Sequence, residues 1–303
     1  MSEAANAVDL PASVQLVTGP GDLPMLQVRD AQVGELDVFL HGAHVTHWVP
    51  AGQAPVLWLS STSKFSPDAA IRGGVPICFP WFGAGASDDL KPSHGPARVS
   101  AWRLLSASQD ADGIQIALGL ETGPESEADG ASGLRGTGAL AATMRIGMGS
   151  ALDLTLEVRN EGPSSATYEA ALHTYLAVGD VHDVGVEGLG GANYIDRLGG
   201  PEPVVQTDDV IRFSGETDRI YLGNEADVVI DDPGLGRRLA VRKAGSASTV
   251  VWTPWVEKAA GMADLDGWES MLCVETANVR SDAITIAPGE SHAMTATYEV
   301  LPR

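Results

Sequence analysis

Alternation with a period of two residues recurs along this chain, and that period belongs to extended backbone rather than to helix. In ALDLTLEVRN, residues 151–160, Leu152, Leu154, Leu156 and Val158 fall on one side and Asp153, Thr155, Glu157 and Arg159 on the other. Such a segment is a half-buried strand. IQIALGL repeats the pattern through Ile114, Ile116, Leu118 and Leu120, and AMTATYEV repeats it through Met294, Ala296, Tyr298 and Val300. Further β-like runs are residues 26–40, STVVW at 248–252 and MLCVET at 271–276. Turn sequences such as GPG, DDPGLG and APGE punctuate these runs at short intervals, as consecutive antiparallel strands require. No amphipathic helix of a dozen residues is apparent. The fold expectation is all-β, a large antiparallel sandwich. The Gly-, Glu- and Ser-rich segment 121–139 reads as a long exposed loop. It marks no domain boundary, because strand-like runs flank it and neither a compositional break nor an internal repeat appears. One domain over 1–303 is expected.

Charge narrows the partners. Forty acidic against 19 basic side chains give a formal net charge of -21, and no basic run offsets it. That field repels nucleic acid and anionic lipid, so neither is an expected partner. An anionic ligand would have to be held by a few local arginines through short bidentate contacts. Cys78 and Cys273 sit in apolar stretches and read as small buried hydrophobes rather than a disulfide. The N-terminus lacks the pattern of a signal peptide, and no apolar run reaches membrane-spanning length, so a cytoplasmic monomer is expected.

Five segments carry side chains suited to chemistry. AIRGGVPICFPWFGAG sets Arg72 among glycines, prolines and aromatics; KPSHGPARVSAW supplies Ser93, His94 and Arg98. Arginine's planar fork suits phosphate or carboxylate, yet the abundance of acids allows each arginine a structural ion pair instead. YEAALHTYLAVGD contains His173, and FSGETDRIYL contains Asp218. In MLCVETANV, Glu275 interrupts an apolar strand, a costly position for a carboxylate unless it faces a cavity or a partner. A sixth segment, HGAHVTHW, invites a metal reading of His41, His44 and His47. On a strand, however, His44 points away from the other two, so the three converge only if the chain turns at Gly42. No metal site is expected.

Taken in order, IRGGVPICFPWFG, HGPARVSAW, LHTYLAVGD, ETDRIYLG and CVETANV resemble the D-hexose-6-phosphate mutarotases, or glucose-6-phosphate 1-epimerases, of the galactose mutarotase-like superfamily. The resemblance implies a β-supersandwich that interconverts the anomers of a small-molecule hexose phosphate without a cofactor. It implies that His173 and Glu275 are catalytic and that Arg72, Ser93, His94, Arg98 and Asp218 lie at the substrate. Ser93 departs from the glutamine common in the family at that place. Anomerisation requires one proton removed from the anomeric hydroxyl and one delivered to the ring oxygen. With reference pKa values of about 4.3 and about 6.5, glutamate suits the base and histidine the acid, and Asp218 is expected to favour the protonated histidine. Nothing in the residues themselves excludes an aldose mutarotase for unphosphorylated sugars, with Arg72 and Arg98 in structural ion pairs, or a binding protein without turnover. Trp81 and Trp102 are candidates for either the sugar face or the core.

Overall fold

A computed structural model describes residues 8–85, 89–120, 140–200 and 202–303; the expected loop over 121–139 lies outside them. The chain is nearly all antiparallel sheet. Four consecutive strands, Val14–Thr18, Pro24–Asp30, Gly34–Phe39 and His44–Pro50, form a meander at the N-terminal end. Among the described residues, the remainder supplies two large sheets, one of nine strands and one of eight, and a small two-stranded pairing. Leu152–Asn160, Gly113–Leu120 and Ser291–Pro302, the three segments whose alternation is clearest in the sequence, all fall in the nine-stranded sheet. Their apolar faces, including Ile114, Leu118, Leu154, Leu156 and Tyr298, are buried in the main core.

The eight-stranded sheet behaves differently, because it is covered on both faces. Its central strand, Met271–Asn278, is buried at every position. Leu272 and Val274 enter the same core as Leu154 and Tyr298. Met271 and Cys273 join a separate cluster with Trp58, Tyr175 and Trp252, and Ala277 joins another with Phe82, Ile220 and Val250. Strand alternation thus sends even positions of 271–278 into the shared core and odd ones to the opposite face. Neighbouring strands alternate in step with it: Val251, opposite Val274, and Tyr221 face the shared core, whereas Val250, opposite Glu275, and Ile220 face away. That second face carries the candidate site.

Among the described residues the only α-helix is the six-residue Trp255–Ala260, and none is long and apolar enough to cross a membrane. Both cysteines are buried and unpaired, as their apolar surroundings predict. The chain does turn at Gly42, and His44 begins the next strand, antiparallel to Gly34–Phe39. The three histidines nevertheless go to three separate partners: His41 Nε2 to the Ala69 carbonyl at 2.9 Å, His44 Nε2 to the Gly73 carbonyl at 2.7 Å, and His47 to Glu35. Trp102 is core, its indole N–H donating to the Ala97 carbonyl, and Trp81 is buried with its N–H on the Pro92 carbonyl.

Candidate active site

Glu275 and His173 meet because two strands present them to the same face of the eight-stranded sheet. Glu275 lies on Met271–Asn278; His173 lies between the short strands Ala170–Leu172 and Tyr175–Ala177, both of which pair with it. The His173 amide donates to the Pro76 carbonyl at 3.0 Å, anchoring the break between them. His173 Nε2 stands 3.3 Å from Glu275 Oε1. Glu275 Oε2 and His173 Nδ1 are buried without a hydrogen-bond partner. Together these residues form the floor of a cleft of about 220 Å³ whose walls include Arg72, His94, Tyr175, Asp218 and Trp252.

Each wall residue is placed by a local device. Arg72 precedes Gly73 and Gly74; Gly74 has φ +60, and a Cβ there would fall 2.2 Å from the Val45 carbonyl oxygen, so only glycine lets the chain pass. His94 itself has φ +65 and is followed by Gly95, where a Cβ would fall 2.1 Å from the Phe79 carbonyl oxygen. The resulting tight turn points the His94 ring at the cleft. Its Nδ1 accepts from the Gly83 amide at 3.3 Å, which leaves Nε2 as the N–H donor. The His173 ring stacks on Tyr175 at 4.9 Å and meets His94 edge-on at 5.5 Å. Asp218 arrives on Thr217–Leu222, opposite Trp252 in the register.

Burial dominates the electrostatics of the pair. It raises the pKa of Glu275 well above the ordinary carboxylate value, with the negative charge of Asp218 adding to the effect. His173 is pushed well below its ordinary value, first by burial and then by the neighbouring His94, Arg98 and Arg72. The influence expected of Asp218 on His173 is therefore exerted on Glu275. Both shifts favour the neutral forms, a protonated carboxyl and an unprotonated imidazole, the reverse of the direction that reference pKa values give. His94 is likewise driven down to about 3, by burial and then by Arg98, Arg197 and other nearby arginines, so it is neutral.

Arg72 is already engaged. Its Nε and Nη2 donate to both oxygens of Asp264 at 3.1 to 3.3 Å, and Nη1 donates to the Tyr175 hydroxyl at 3.0 Å. Burial works against its charge, but Tyr175 and Asp264 outweigh that and hold the guanidinium ionised. Five of the seven residues expected at the site, Arg72, His94, His173, Asp218 and Glu275, converge on the cleft. The other two do not line it. Ser93 is exposed, and Arg98 donates to the Ser93 carbonyl at 2.7 Å, a local turn contact that directs the guanidinium to backbone. Its charge still reaches His94, His173 and Glu275.

Sequence reasoning missed Tyr175, Trp252, Arg197 and Lys258, all of which line the cleft. Tyr175 was within reach of it, because a residue two positions from His173 on extended backbone shares its face. Arg197 pairs with Asp218 at 3.5 Å and Lys258 with Glu216 at 3.2 Å, contacts between segments distant in sequence. Trp252, rather than Trp81 or Trp102, supplies the indole.

The profile of the aldose 1-epimerases matches residues 24–299, and the solved and curated relatives agree with it. The chain belongs to the aldose 1-epimerase family. A protein of Escherichia coli (strain K12) named "Putative glucose-6-phosphate 1-epimerase" is 38% identical over 258 residues, 84% of this chain and 83% of that protein. One of the same name from Cenchrus ciliaris is 33% identical over 294 residues, covering 91% and 84%. A crystal structure from Salmonella typhimurium, described as a "putative mutarotase", superposes with a TM-score of 0.87 at 30% identity over 98% of this chain and 96% of that one. The all-β fold and the mutarotase resemblance drawn from five short motifs stand on these matches.

Proposed function

We propose that this protein interconverts the α and β anomers of a hexose 6-phosphate, with glucose 6-phosphate the first to test, by acid/base opening and closing of the sugar ring. The observation that carries the reading is the buried pair of His173 and Glu275, 3.3 Å apart at the floor of a cleft sized for a monosaccharide and lined by Arg72, Arg197 and Lys258 in a chain of net charge -21. Names of the relatives in Escherichia coli and Cenchrus ciliaris support the substrate class. The whole chain is taken to act as one cytoplasmic, monomeric unit, and the scheme calls on no cofactor because it consists of two proton transfers between side chains and sugar.

In this scheme the anomeric O–H donates to Glu275 Oε2, the oxygen without a protein partner. A hydrogen bond to the charged form favours the carboxylate, so sugar binding moves the shared proton across to His173. Glu275 then takes the anomeric proton as His173 protonates the ring oxygen, and the C1–O5 bond breaks to give the open aldehyde. Rotation about C1–C2 exposes the other carbonyl face, and the same two transfers run backwards to close the ring. The His94 Nε2–H and the Asp218 carboxylate bind sugar hydroxyls. Arg72 takes the phosphate together with the field of Arg98; Ser93, exposed beside Arg98, is left at the rim.

One observation favours a second reading, anomerisation of unphosphorylated aldoses: Asp264 and Tyr175 already occupy the Arg72 fork. NMR exchange between the anomeric protons of glucose 6-phosphate and, separately, of glucose decides between them. Exchange above the protein-free rate for the phosphate and not for glucose is expected. The opposite preference would establish the second reading, and no acceleration of either sugar would overturn the assignment as an anomerase for them.

A further inference from the structure

Cys273 has no part in these proton transfers, yet it sits among the groups that do. One ligand atom each from His173, Cys273 and Glu275 lies within 4.8 Å of the others. Strand periodicity explains two of them, since positions 273 and 275 share a face, and His173 arrives from the paired strand segment. The 3.3 Å between His173 Nε2 and Glu275 Oε1 is the edge of a tetrahedron whose centre stands about 2.0 Å from both atoms, the length of a Zn–N or Zn–O bond, and the Cys273 thiolate, within 4.8 Å, reaches that centre by a side-chain adjustment.

We propose that the cleft floor is a Zn²⁺ site formed by His173, Cys273 and Glu275, and that the ion inhibits the enzyme by occupying its acid/base pair. The inhibitory half rests on the function proposed above; the binding half does not.

The ligand set is of the kind zinc takes, one thiolate, one imidazole and one carboxylate, and three protein ligands leave the fourth tetrahedral position toward the cleft for water or a sugar hydroxyl. Mg²⁺ and Ca²⁺ are disfavoured, since they require several oxygen ligands and the trio offers one carboxylate. Charge also balances. Zn²⁺ held by one thiolate, one carboxylate and a neutral imidazole carries no net charge, the protons of the thiol and the carboxyl leaving to solvent, and a buried site penalises net charge.

The test uses the full chain freed of metal by EDTA. Equilibrium dialysis against Zn²⁺ should give one tightly bound ion per chain, and Co²⁺ in its place should show a thiolate-to-cobalt charge-transfer band. Anomer exchange should fall in proportion to zinc occupancy and return on adding chelator. Cys273→Ala should abolish the cobalt band and weaken zinc binding by at least about tenfold, given that even outer partners of a metal site contribute that much. Exchange by the metal-free variant should persist. Absence of bound zinc, absence of the band, zinc affinity unchanged in Cys273→Ala, or full activity with the ion bound would each overturn the proposal. Should Cys273→Ala fail to fold, the cobalt spectrum of the wild-type chain decides the thiolate ligand alone. A metal-free wild-type chain inactive on every sugar would instead remove the proposed function, while dialysis and the cobalt band still judge the site.

Discussion

Replacing Glu275 with glutamine separates chemistry from stability in a way few active-site substitutions allow. The side chain is 1% exposed, and its raised pKa means that the folded protein keeps it protonated where the unfolded chain does not. Glutamine preserves its shape but cannot exchange a proton. The transfers assigned to Glu275 typically contribute ~10²–10⁴ in rate, about 2.7–5.4 kcal/mol of barrier. Glucose 6-phosphate exchange should fall by that factor. Stability should move the other way with pH. Above the ordinary carboxylate value of 4.5 the wild-type unfolded state loses a proton that the folded state retains, so wild-type stability declines as pH rises toward the folded-state pKa. The variant has no such slope. Its stability relative to wild type should therefore climb by up to about 1.4 kcal/mol per pH unit across that window, with any fixed cost of the buried amide cancelling from the comparison. Denaturant midpoints at about pH 5 and about pH 8, alongside the exchange assay, measure both. A variant that exchanges glucose 6-phosphate at the wild-type rate refutes the catalytic role. One whose relative stability falls with rising pH refutes the buried, protonated carboxyl.

Three further outcomes follow from the same geometry. Asp264→Asn breaks the bidentate hold on Arg72; the KM for the hexose phosphate should rise about tenfold, with a smaller change in kcat, and an unchanged KM would mean that Arg72 does not orient substrate. Asp218→Asn removes a negative charge that raises Glu275, so the alkaline limb of the kcat/KM profile should move to lower pH; movement to higher pH would contradict that coupling. Glu169→Ala should destabilise the fold by about 2–5 kcal/mol, because the buried carboxylate accepts the amides of Phe82 at 3.0 Å and Arg280 at 2.7 Å, and both would be stranded. A denaturation midpoint close to wild type would show that water or a neighbour satisfies those amides.

The divide between what was legible and what was hidden follows particular residues. Ile114 to Leu120, Leu152 to Val158 and Met294 to Tyr298 alternate cleanly because their sheet buries one face, and a single buried face leaves a period of two in the residue types. Met271–Asn278 shows no such pattern, since both its faces are covered. There the one acidic residue, Glu275, stood out instead by its cost. The glycines of IRGGVP and SHGP were visible, but their purpose, backbone packed against Val45 and Phe79, was not.

Sequence by itself determined the all-β class, the family resemblance and five of the residues that meet in the cleft, because strand period and short motifs are local properties of the chain. Tertiary structure alone decided that Arg72 is held by Asp264, that Arg98 turns to the Ser93 carbonyl, and that Arg197 and Lys258 stand at the cleft. It also decided that burial favours the neutral forms of Glu275 and His173. Each of those depends on which distant segments are brought within a few ångströms and on how much water is excluded when they meet, and neither quantity is written in the order of residues along one strand.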